Sequence, residues 1–428
     1  MHTIVQQTTS NRPRIVIVGA GISGLAVASL LGDVNADVIV LRQAMEPARA
    51  RCYQGLFDRA DLRAIGAQVS DAEKLPVGEV RRSIGLASPD TIDQVPLDLV
   101  SIEHGAVLDA LERQVVPRGV QVVDGFTASQ LRLVEGAVTG VVDEGRGKSI
   151  DADVVVLADE SDPRLAERIG LRPDWLPTEL MHLCKERYPA PTSVIDERFQ
   201  IDQGGHRVVT HRFQASWGAW GVGMIVPGST GITVEVAMLL EDEMASARHI
   251  TEYLDEFKAI PWVTDLLDGM RAERFFTEVV PIGGFDRPHR FHADGVLVVS
   301  DLLGLTNPLN RDGLSTNQKA CAAAALCLKG AVREHEFGAR TLSRYSRQLE
   351  AEVVRPVTTQ RRRTFVLRAR PAWEWASMPA LLPALEGVTT GAISETLPEA
   401  ARRRALHGLA GLGRRVGIRP GSRAVIDE

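Results

Sequence analysis

The segment that most constrains the fold covers residues 14–43 and reads RIVIVGAGISGLAVASLLGDVNADVIVLRQ. It begins with an apolar run of strand length, passes through a glycine-rich turn into an apolar stretch of helix length, and ends in a second apolar run. Short continuous apolar runs are typical of strands buried on both faces, and the longer run between them indicates a buried helix. The segment therefore predicts a β-α-β unit with a parallel sheet.

The turn between the first strand and the helix contains Gly19, Gly21 and Gly24 at the spacing Gly-x-Gly-x-x-Gly. In this setting the first glycine permits a tight turn, the second lets the backbone approach a pyrophosphate, and the third allows the helix to pack closely on the strand. The N-terminus of the helix adds N–H groups and a partial positive charge. The turn predicts a dinucleotide-binding fold, and a glycine turn that serves packing alone is the alternative.

The rest of the chain indicates that this domain is assembled from separated pieces. Further buried strands are predicted at 120–123, 153–158 and 296–300, and a hairpin at 131–144. Between them, residues 189–281 have strands rich in Trp, Val and Thr, followed by helices. A second sheet is therefore expected to be inserted into the first domain.

Composition excludes several classes of function. A net charge of −6 argues against nucleic acid as the main partner. Residues 355–428 contain 13 arginines and 6 acidic residues in a helical pattern, which suits either contact with a membrane surface or helices that pack an apolar stripe on the domain. No apolar run reaches the roughly 18 residues of a membrane span, and no signal peptide is expected at the start. Four scattered cysteines without metal or iron–sulfur spacing predict free thiols in a cytoplasmic protein that holds no metal.

Four downstream segments identify the kind of dinucleotide fold. Residues 152–171 (ADVVVLADESDPRLAERIGL) resemble the strand and turn that close over FAD in glutathione-reductase-type flavoproteins. Residues 295–324 (GVLVVSDLLGLTNPLNRDGLSTNQKACAAA) resemble their late strand, aspartate and helix. Residues 191–201 (PTSVIDERFQI) and 407–420 (HGLAGLGRRVGIRP) resemble the FixC branch of the electron-transfer-flavoprotein–quinone oxidoreductases, relatives of the geranylgeranyl reductases.

This resemblance spans nearly the whole chain and implies an α/β fold. The expected architecture is a Rossmann-like FAD-binding domain, of the kind in glutathione reductase and p-hydroxybenzoate hydroxylase. An antiparallel β-sheet substrate domain is inserted into it, and a helical C-terminal region follows. The boundaries that we predict are 1–80, 100–188 and 282–350 for the FAD-binding domain, 81–99 and 189–281 for the substrate domain, and 351–428 for the C-terminal region.

The resemblance also implies which residues form the site. Asp301 would lie beside the ribityl chain and pyrophosphate of FAD, Asn307 and Pro308 beside the flavin ring, and Gly55 on the other side of the ring. The complete predicted cofactor site consists of Gly19, Gly21, Gly24, Arg42, Gly55, Asp159, Asp301, Asn307, Pro308 and Gly313. A sheet over 220–236 would roof a substrate pocket lined by Trp217, Trp220 and Met224, with the two tryptophans as ordinary sheet core as the alternative.

The sequence departs from the family pattern at four places. Arg42 stands where an acid usually holds the adenosine ribose, and an arginine there can favour an extra phosphate, as in NADP sites. Glu160 and Ser300 replace glycines of two family motifs. His104 stands near the place of a family arginine and is a candidate proton donor or acceptor, or else a surface histidine. Losing the carboxylate–ribose hydrogen bonds costs about 1.5–3 kcal/mol, so FAD remains the predicted cofactor, with NAD(P)H or no cofactor as alternatives.

Together these features predict an FAD-dependent oxidoreductase that acts on a small, largely apolar organic substrate in specialised metabolism. Hydride would pass between the substrate and the flavin N5, while the protein supplies orientation and electrostatic field. No catalytic side chain is assigned. Onward electron flow would need a separate electron carrier, since the chain has no iron–sulfur motif. The alternatives are a flavin monooxygenase that uses NAD(P)H and oxygen, and a flavin-fold protein without redox function that acts as a cyclase, an isomerase or a binding protein.

Overall fold

The computed structural model describes most of the first 359 residues, and all of the described residues belong to one compact unit, Met1–Ala372. At 3–4, 78–84, 91–93 and 206–213 the description covers the backbone alone. The described residues are 3–4, 12–43, 50–84, 91–93, 98–159, 163–171, 175–199, 206–213, 221–283, 289–300, 303–306 and 313–359.

The strands of the described residues fall into three sheets. In chain order they are β1 (Thr3–Ile4), β2 (Arg14–Val18), β3 (Asp37–Arg42), β4 (Gln54–Asp58), β5 (Leu75–Ile84), β6 (Thr91–Asp93), β7 (Leu99–Glu103), β8 (Gln121–Asp124), β9 (Gln130–Val134), β10 (Ala137–Asp143), β11 (Lys148–Asp151), β12 (Val154–Leu157), β13 (Leu180–Pro189), β14 (His206–Phe213), β15 (Gly221–Pro227), β16 (Gly231–Leu239), β17 (Arg274–Pro281), β18 (His292–Ala293) and β19 (Val296–Val298).

The helices lie between these strands and after the last of them. They are α1 (Ile22–Leu31), α2 (Arg59–Ala64), α3 (His104–Val115), α4 (Arg164–Arg168), α5 (Thr192–Arg198), α6 (Leu240–Ser246), α7 (Ile250–Lys258), α8 (Pro261–Leu267), α9 (Leu314–Glu334) and α10 (Ala339–Leu349). A π-helical turn, Glu350–Val354, follows α10.

The first sheet is the parallel sheet predicted from the sequence. Its order is β18-β19-β12-β2-β3-β8, in which only β18 runs antiparallel to its neighbour. The central strands β2 and β12 are almost fully buried from Ile15 to Val18 and from Val154 to Leu157. Strands buried on both faces require covering layers on both sides, which is why these runs are apolar without alternation. The α/β fold class is as predicted.

The second sheet is the inserted one. Its order is β17-β13-β16-β15-β14-β5-β7-β4, with β6 beside β5, and its strands pair antiparallel except for β14 with β5. β13 is hydrogen-bonded between β16 and β17, so this strand belongs to the second sheet, although residues up to 188 fall on the FAD-binding side of our predicted boundary. One face of the sheet packs on α7 and α8 through an apolar core that includes Val234, Tyr253 and Phe257.

The strands β4 and β7 join the two large sheets. Phe57 and Ile102 lie in the core of the first sheet, whereas Leu56 packs with Val77 and Val226 of the second. A third, smaller sheet has the order β1-β11-β10-β9, and its β9–β10 hairpin covers the hairpin predicted at 131–144. The strand β4 therefore contacts both the core of the first sheet and a small apolar cluster of the second.

Candidate functional site

The glycine turn between β2 and α1 brings backbone segments closer than side chains would permit. Gly19 has φ +109°, and a Cβ there would lie 2.6 Å from the carbonyl oxygen of Ala158 at the end of β12. A Cβ on Gly24 would lie 2.0 Å from the carbonyl oxygen of Gly19. Gly21 precedes α1 in an extended conformation and, as the N-cap residue, has no side chain to cap the helix. The turn and the N-terminus of α1 fit the pyrophosphate of a dinucleotide.

The helices α1 and α9 pack against each other through small and polar residues next to this turn. Asn317 Nδ2 donates a hydrogen bond to Ser23 Oγ at 2.7 Å, and both residues are buried. Cys321 Sγ lies 3.6 Å from the carbonyl oxygen of Ser23. Gly313, a predicted cofactor residue, immediately precedes α9. The start of α9 is thereby tied to the first turn of α1.

Arg42 ends β3 and lies in two ion pairs. Its Nη1 donates to Asp124 Oδ1 at 2.9 Å, and its Nη2 contacts Glu112 Oε2. The two carboxylates beside this guanidinium would repel a phosphate, which argues against the extra phosphate considered for this position. The side-chain amide of Gln43 donates to Asp159 Oδ2, so the ends of β3 and β12 are also linked.

A corner formed by β4 and the start of α3 holds His104. Its Nδ1 lies 3.0 Å from the carbonyl oxygen of Tyr53, and because a carbonyl only accepts, Nδ1 carries the proton and Nε2 is the basic nitrogen. A Cβ on Gly55 would lie 2.8 Å from His104 Cε1 and 2.7 Å from Phe57 Cε2. Glycine at position 55 is therefore required by the packing of these two rings.

Burial lowers the pKa of His104 to about 4, because the imidazolium would lose hydration, and nearby Lys185 lowers it further. The side chain keeps a small part of its surface exposed, but the ring lies against Gly55 and Phe57 on its other sides. His104 is thus neutral at neutral pH, and it lies at the first residue of a helix rather than in a surface loop.

We expect the pH dependence of stability to report this histidine. The pKa of this histidine is ~6.5 in the unfolded chain and about 4 in the folded protein. Between these two pH values the unfolded chain takes up a proton that the folded protein does not. The free energy of unfolding is therefore highest above the unfolded-state pKa and decreases as the pH falls toward the folded-state pKa. Over that range the wild type should lose roughly 1–3 kcal/mol more than His104→Asn, whose amide can donate to the Tyr53 carbonyl but binds no proton. Urea unfolding of both proteins across this pH range measures the difference, and parallel profiles would contradict it.

The face of the second sheet that meets β4 carries charges in apolar surroundings. We call it the inner face and define it by Lys185, Thr233, Glu235 and Met224. Lys185 Nζ lies 3.3 Å from Glu235 Oε2, and the two side chains are only 15% and 8% exposed. Met224, predicted for the substrate pocket, is the register partner of Glu235, and Glu278 lies 3.6 Å from the same ammonium. Because burying an ion pair is costly, a retained pair is better evidence of function than of stability.

Two polar groups at the junction of β4 with the inner face are buried without a hydrogen-bond partner among the described residues. They are the Tyr53 hydroxyl and Gln54 Nε2. Tyr53 packs its ring 5.8 Å from that of Phe276, and burial raises its pKa to about 12. The backbone N–H of Gln54 donates to Thr233 Oγ1 at 2.9 Å, which fixes the strand against the sheet. Buried donors without a partner are groups that a ligand or a water can satisfy.

Arg187 connects this corner to the second sheet. Its guanidinium is 12% exposed and donates to the Cys52 carbonyl oxygen at 3.1 Å, to Glu273 at 3.1 Å and to Thr230 Oγ1 at 2.9 Å. Glu103, which precedes α3, lies 3.5 Å from the same guanidinium and accepts from Thr230 Oγ1 at 2.9 Å. One side chain therefore fixes the approach to β4, the start of α3 and the turn between β15 and β16.

Five predicted site residues lie outside the described residues: Asp301, Asn307, Pro308, Trp217 and Trp220. Their roles stay predictions.

Several residues that the structure brings into the site had no role assigned from the sequence. Glu235 could have been found, because it is the single charged residue in the buried strand GITVEVAML. Arg187 and Glu112 have no such signal, because their partners are distant in the chain.

The architecture defines the class of protein first. The fold described above is similar to that of a geranylgeranyl bacteriochlorophyll reductase-like protein from Thermoplasma acidophilum. That structure matches with a TM-score of 0.71 at 15% identity, over 94% of this chain and 99% of that chain. The probable FAD-dependent monooxygenase PqsL from Pseudomonas aeruginosa matches with a TM-score of 0.61 at 18% identity, over 84% of this chain and 96% of that one. The fold is that of FAD-dependent oxidoreductases.

The chain is also similar in sequence to FixC proteins. The chain is 26% identical over 352 residues to Protein FixC of Escherichia coli strain K12, which covers 79% of this chain and 82% of that protein. No protein-family model matches the chain. The resemblance to FixC proteins is confirmed. Among the described residues, no helix combines the length and the apolar character needed to span a membrane.

Proposed function

We propose that this chain is an FAD-dependent oxidoreductase of the FixC kind that acts on a small, largely apolar organic substrate. The observation that carries the proposal is the turn at Gly19 and Gly24, where a Cβ on either residue would meet backbone within 2.6 Å. This close packing sets the N-terminus of α1 at the ends of β2 and β12, which is where a dinucleotide pyrophosphate binds in such folds. FAD, when bound, supplies hydride exchange at its N5.

The residues of the chain divide between the two ends of this site. Gly19, Gly21, Gly24 and the N-terminus of α1 hold the pyrophosphate. At the other end, the corner at Tyr53 and the inner face meet the substrate. Apolar side chains, Met224 among them, exclude water there, and Lys185 Nζ donates a hydrogen bond to one polar atom of the substrate. Glu235 holds that ammonium in place.

This division explains the proposed substrate class. The inner face sets the buried Lys185–Glu235 pair beside apolar residues of β13 and β16, so it suits a molecule with an apolar body and a single oxygen or nitrogen function. Electrons that leave the flavin would pass to a separate carrier, because the four cysteines of the chain have no iron–sulfur spacing.

The direct test is the visible absorption spectrum of the purified protein, followed by identification of the cofactor released on denaturation. We expect a flavin spectrum and stoichiometric FAD, because the glycine turn satisfies the geometry of the pyrophosphate site. A colourless protein that binds no FAD on titration would contradict the proposal.

A flavin monooxygenase is the second candidate, favoured by the likeness to PqsL over 84% of this chain. The two reactions differ in their co-substrates. NAD(P)H oxidation accompanied by stoichiometric oxygen uptake and a hydroxylated product would support the monooxygenase. Substrate oxidation with an artificial electron acceptor under anaerobic conditions would support the FixC-like reaction.

A further inference from the structure

The end of β3 lies directly against the glycine turn. The Gly19 amide N–H donates to the carbonyl oxygen of Leu41 at 3.0 Å, and Arg42 follows Leu41. In dinucleotide-binding folds an acid about 20 residues after the turn accepts hydrogen bonds from the adenosine ribose. In this chain the residue at that place is Arg42, a cation, and two carboxylates lie beside it.

The two partners of Arg42 bring carboxylates to this place from other elements. Glu112 comes from α3 and Asp124 from the end of β8. Arg42, Glu112 and Asp124 together carry a charge of −1, the charge that a single acid at position 42 would give. Each carboxylate contacts Arg42 through one oxygen, while Glu112 Oε1 and Asp124 Oδ2 have no hydrogen-bond partner among the described residues.

The two carboxylates differ in how well they are fixed. The Glu112 side chain is 32% exposed and stands on α3, which packs on α1. Asp124 is 73% exposed, so water competes strongly for its oxygens. A ribose bound next to the turn would find in Glu112 an acceptor that is already oriented, which is the condition for a hydrogen bond to add affinity.

We propose that Glu112 accepts hydrogen bonds from the adenosine ribose hydroxyls of FAD, and that Arg42 is the positioning residue that holds Glu112 at the end of β3. This inference rests on the proposed function, since the ligand is FAD. The carboxylate of the dinucleotide site has moved from the strand to a neighbouring helix, and Arg42 supplies the link. A site of this kind selects an unphosphorylated ribose, because a phosphate would meet Glu112 and Asp124.

The test is FAD binding by the full chain, freed of flavin and titrated while flavin fluorescence is measured. Glu112→Gln keeps the shape and removes the charge, and it should weaken FAD binding by tenfold to about a hundredfold. Asp124→Asn removes a charge from the same arginine and should weaken binding less than about threefold. FMN, which lacks the adenosine, should bind the wild type and Glu112→Gln equally.

A rescue separates ribose binding from a structural role. The double variant Arg42→Glu/Glu112→Gln restores an acid at the strand end and should recover most of the affinity lost in Glu112→Gln. If Arg42 bound a phosphate instead, the double variant would bind FAD more weakly than the single one, and the inference would be overturned. Wild-type binding of FAD together with unchanged binding by Glu112→Gln would overturn the inference and leave the proposed function standing. A wild type that binds no FAD would overturn the proposed function itself.

Discussion

Gly24→Ala should destabilise the protein by roughly 3 kcal/mol and weaken FAD binding at least about a hundredfold. The new Cβ would lie 2.0 Å from the Gly19 carbonyl oxygen, far inside contact distance. The turn cannot retreat from it, because Gly19 is itself pressed against Ala158 on its other side, where a Cβ would lie 2.6 Å from the carbonyl oxygen. The helix must therefore move away from the strand, and the pyrophosphate site opens.

Gly330→Ala is the matched control, since it makes the same change inside another helix. A Cβ on Gly330 would lie 3.4 Å from Arg344 Nη1, the flexible end of a side chain. Alanine is favoured over glycine in a helix interior by roughly 0.5–1 kcal/mol, so this variant should be slightly more stable than the wild type. Urea unfolding and FAD titration of both variants measure the contrast. If Gly24→Ala unfolded at the wild-type urea concentration and bound FAD normally, close packing at the turn would not be its role.

The parallel sheet and its glycine turn could be predicted because their signals are local. The strand β2, the turn and the helix α1 are consecutive in the sequence, and a strand buried on both faces reads as an unbroken apolar run. The same reasoning could not assign β13. Its apolar and charged residues are consistent with either sheet, and its partners β16 and β17 come more than forty residues later in the chain.

The chemistry around Arg42 could not be predicted for a related reason. The sequence shows that an acid is missing from the strand end, but the two carboxylates that replace its charge lie 70 and 82 residues away. No periodicity connects those positions. Likewise, Gln43 and Asp159 are 116 residues apart, although each lies just beyond the end of a strand of the same sheet. Parallel strands bring their carboxyl ends together, so the sequence predicts the shared edge but not the pairs that form there.

Arg187→Ala should lower the free energy of unfolding by roughly 2–4 kcal/mol. The change leaves Glu103 and Glu273 without their cation and removes the donors to the Cys52 carbonyl and to Thr230. Both carboxylates are partly exposed, which keeps the expected loss below that of a fully buried pair. The loss should also weaken FAD binding, because the segment before β4 and the start of α3 are fixed by this one guanidinium.

Two further variants show whether the geometry of the guanidinium is what matters. Arg187→Lys keeps the charge, but an ammonium cannot reach Cys52, Thr230 and both acids at once, so it should recover less than half of the lost stability. Arg344→Ala removes an exposed arginine paired with Glu334 and should leave the urea midpoint unchanged. Full recovery by lysine would mean that charge alone holds the junction. Partial recovery, with lowered FAD affinity in both Arg187 variants, would mean that the segment before β4 and the start of α3 are held by the fixed directions of one guanidinium's donors.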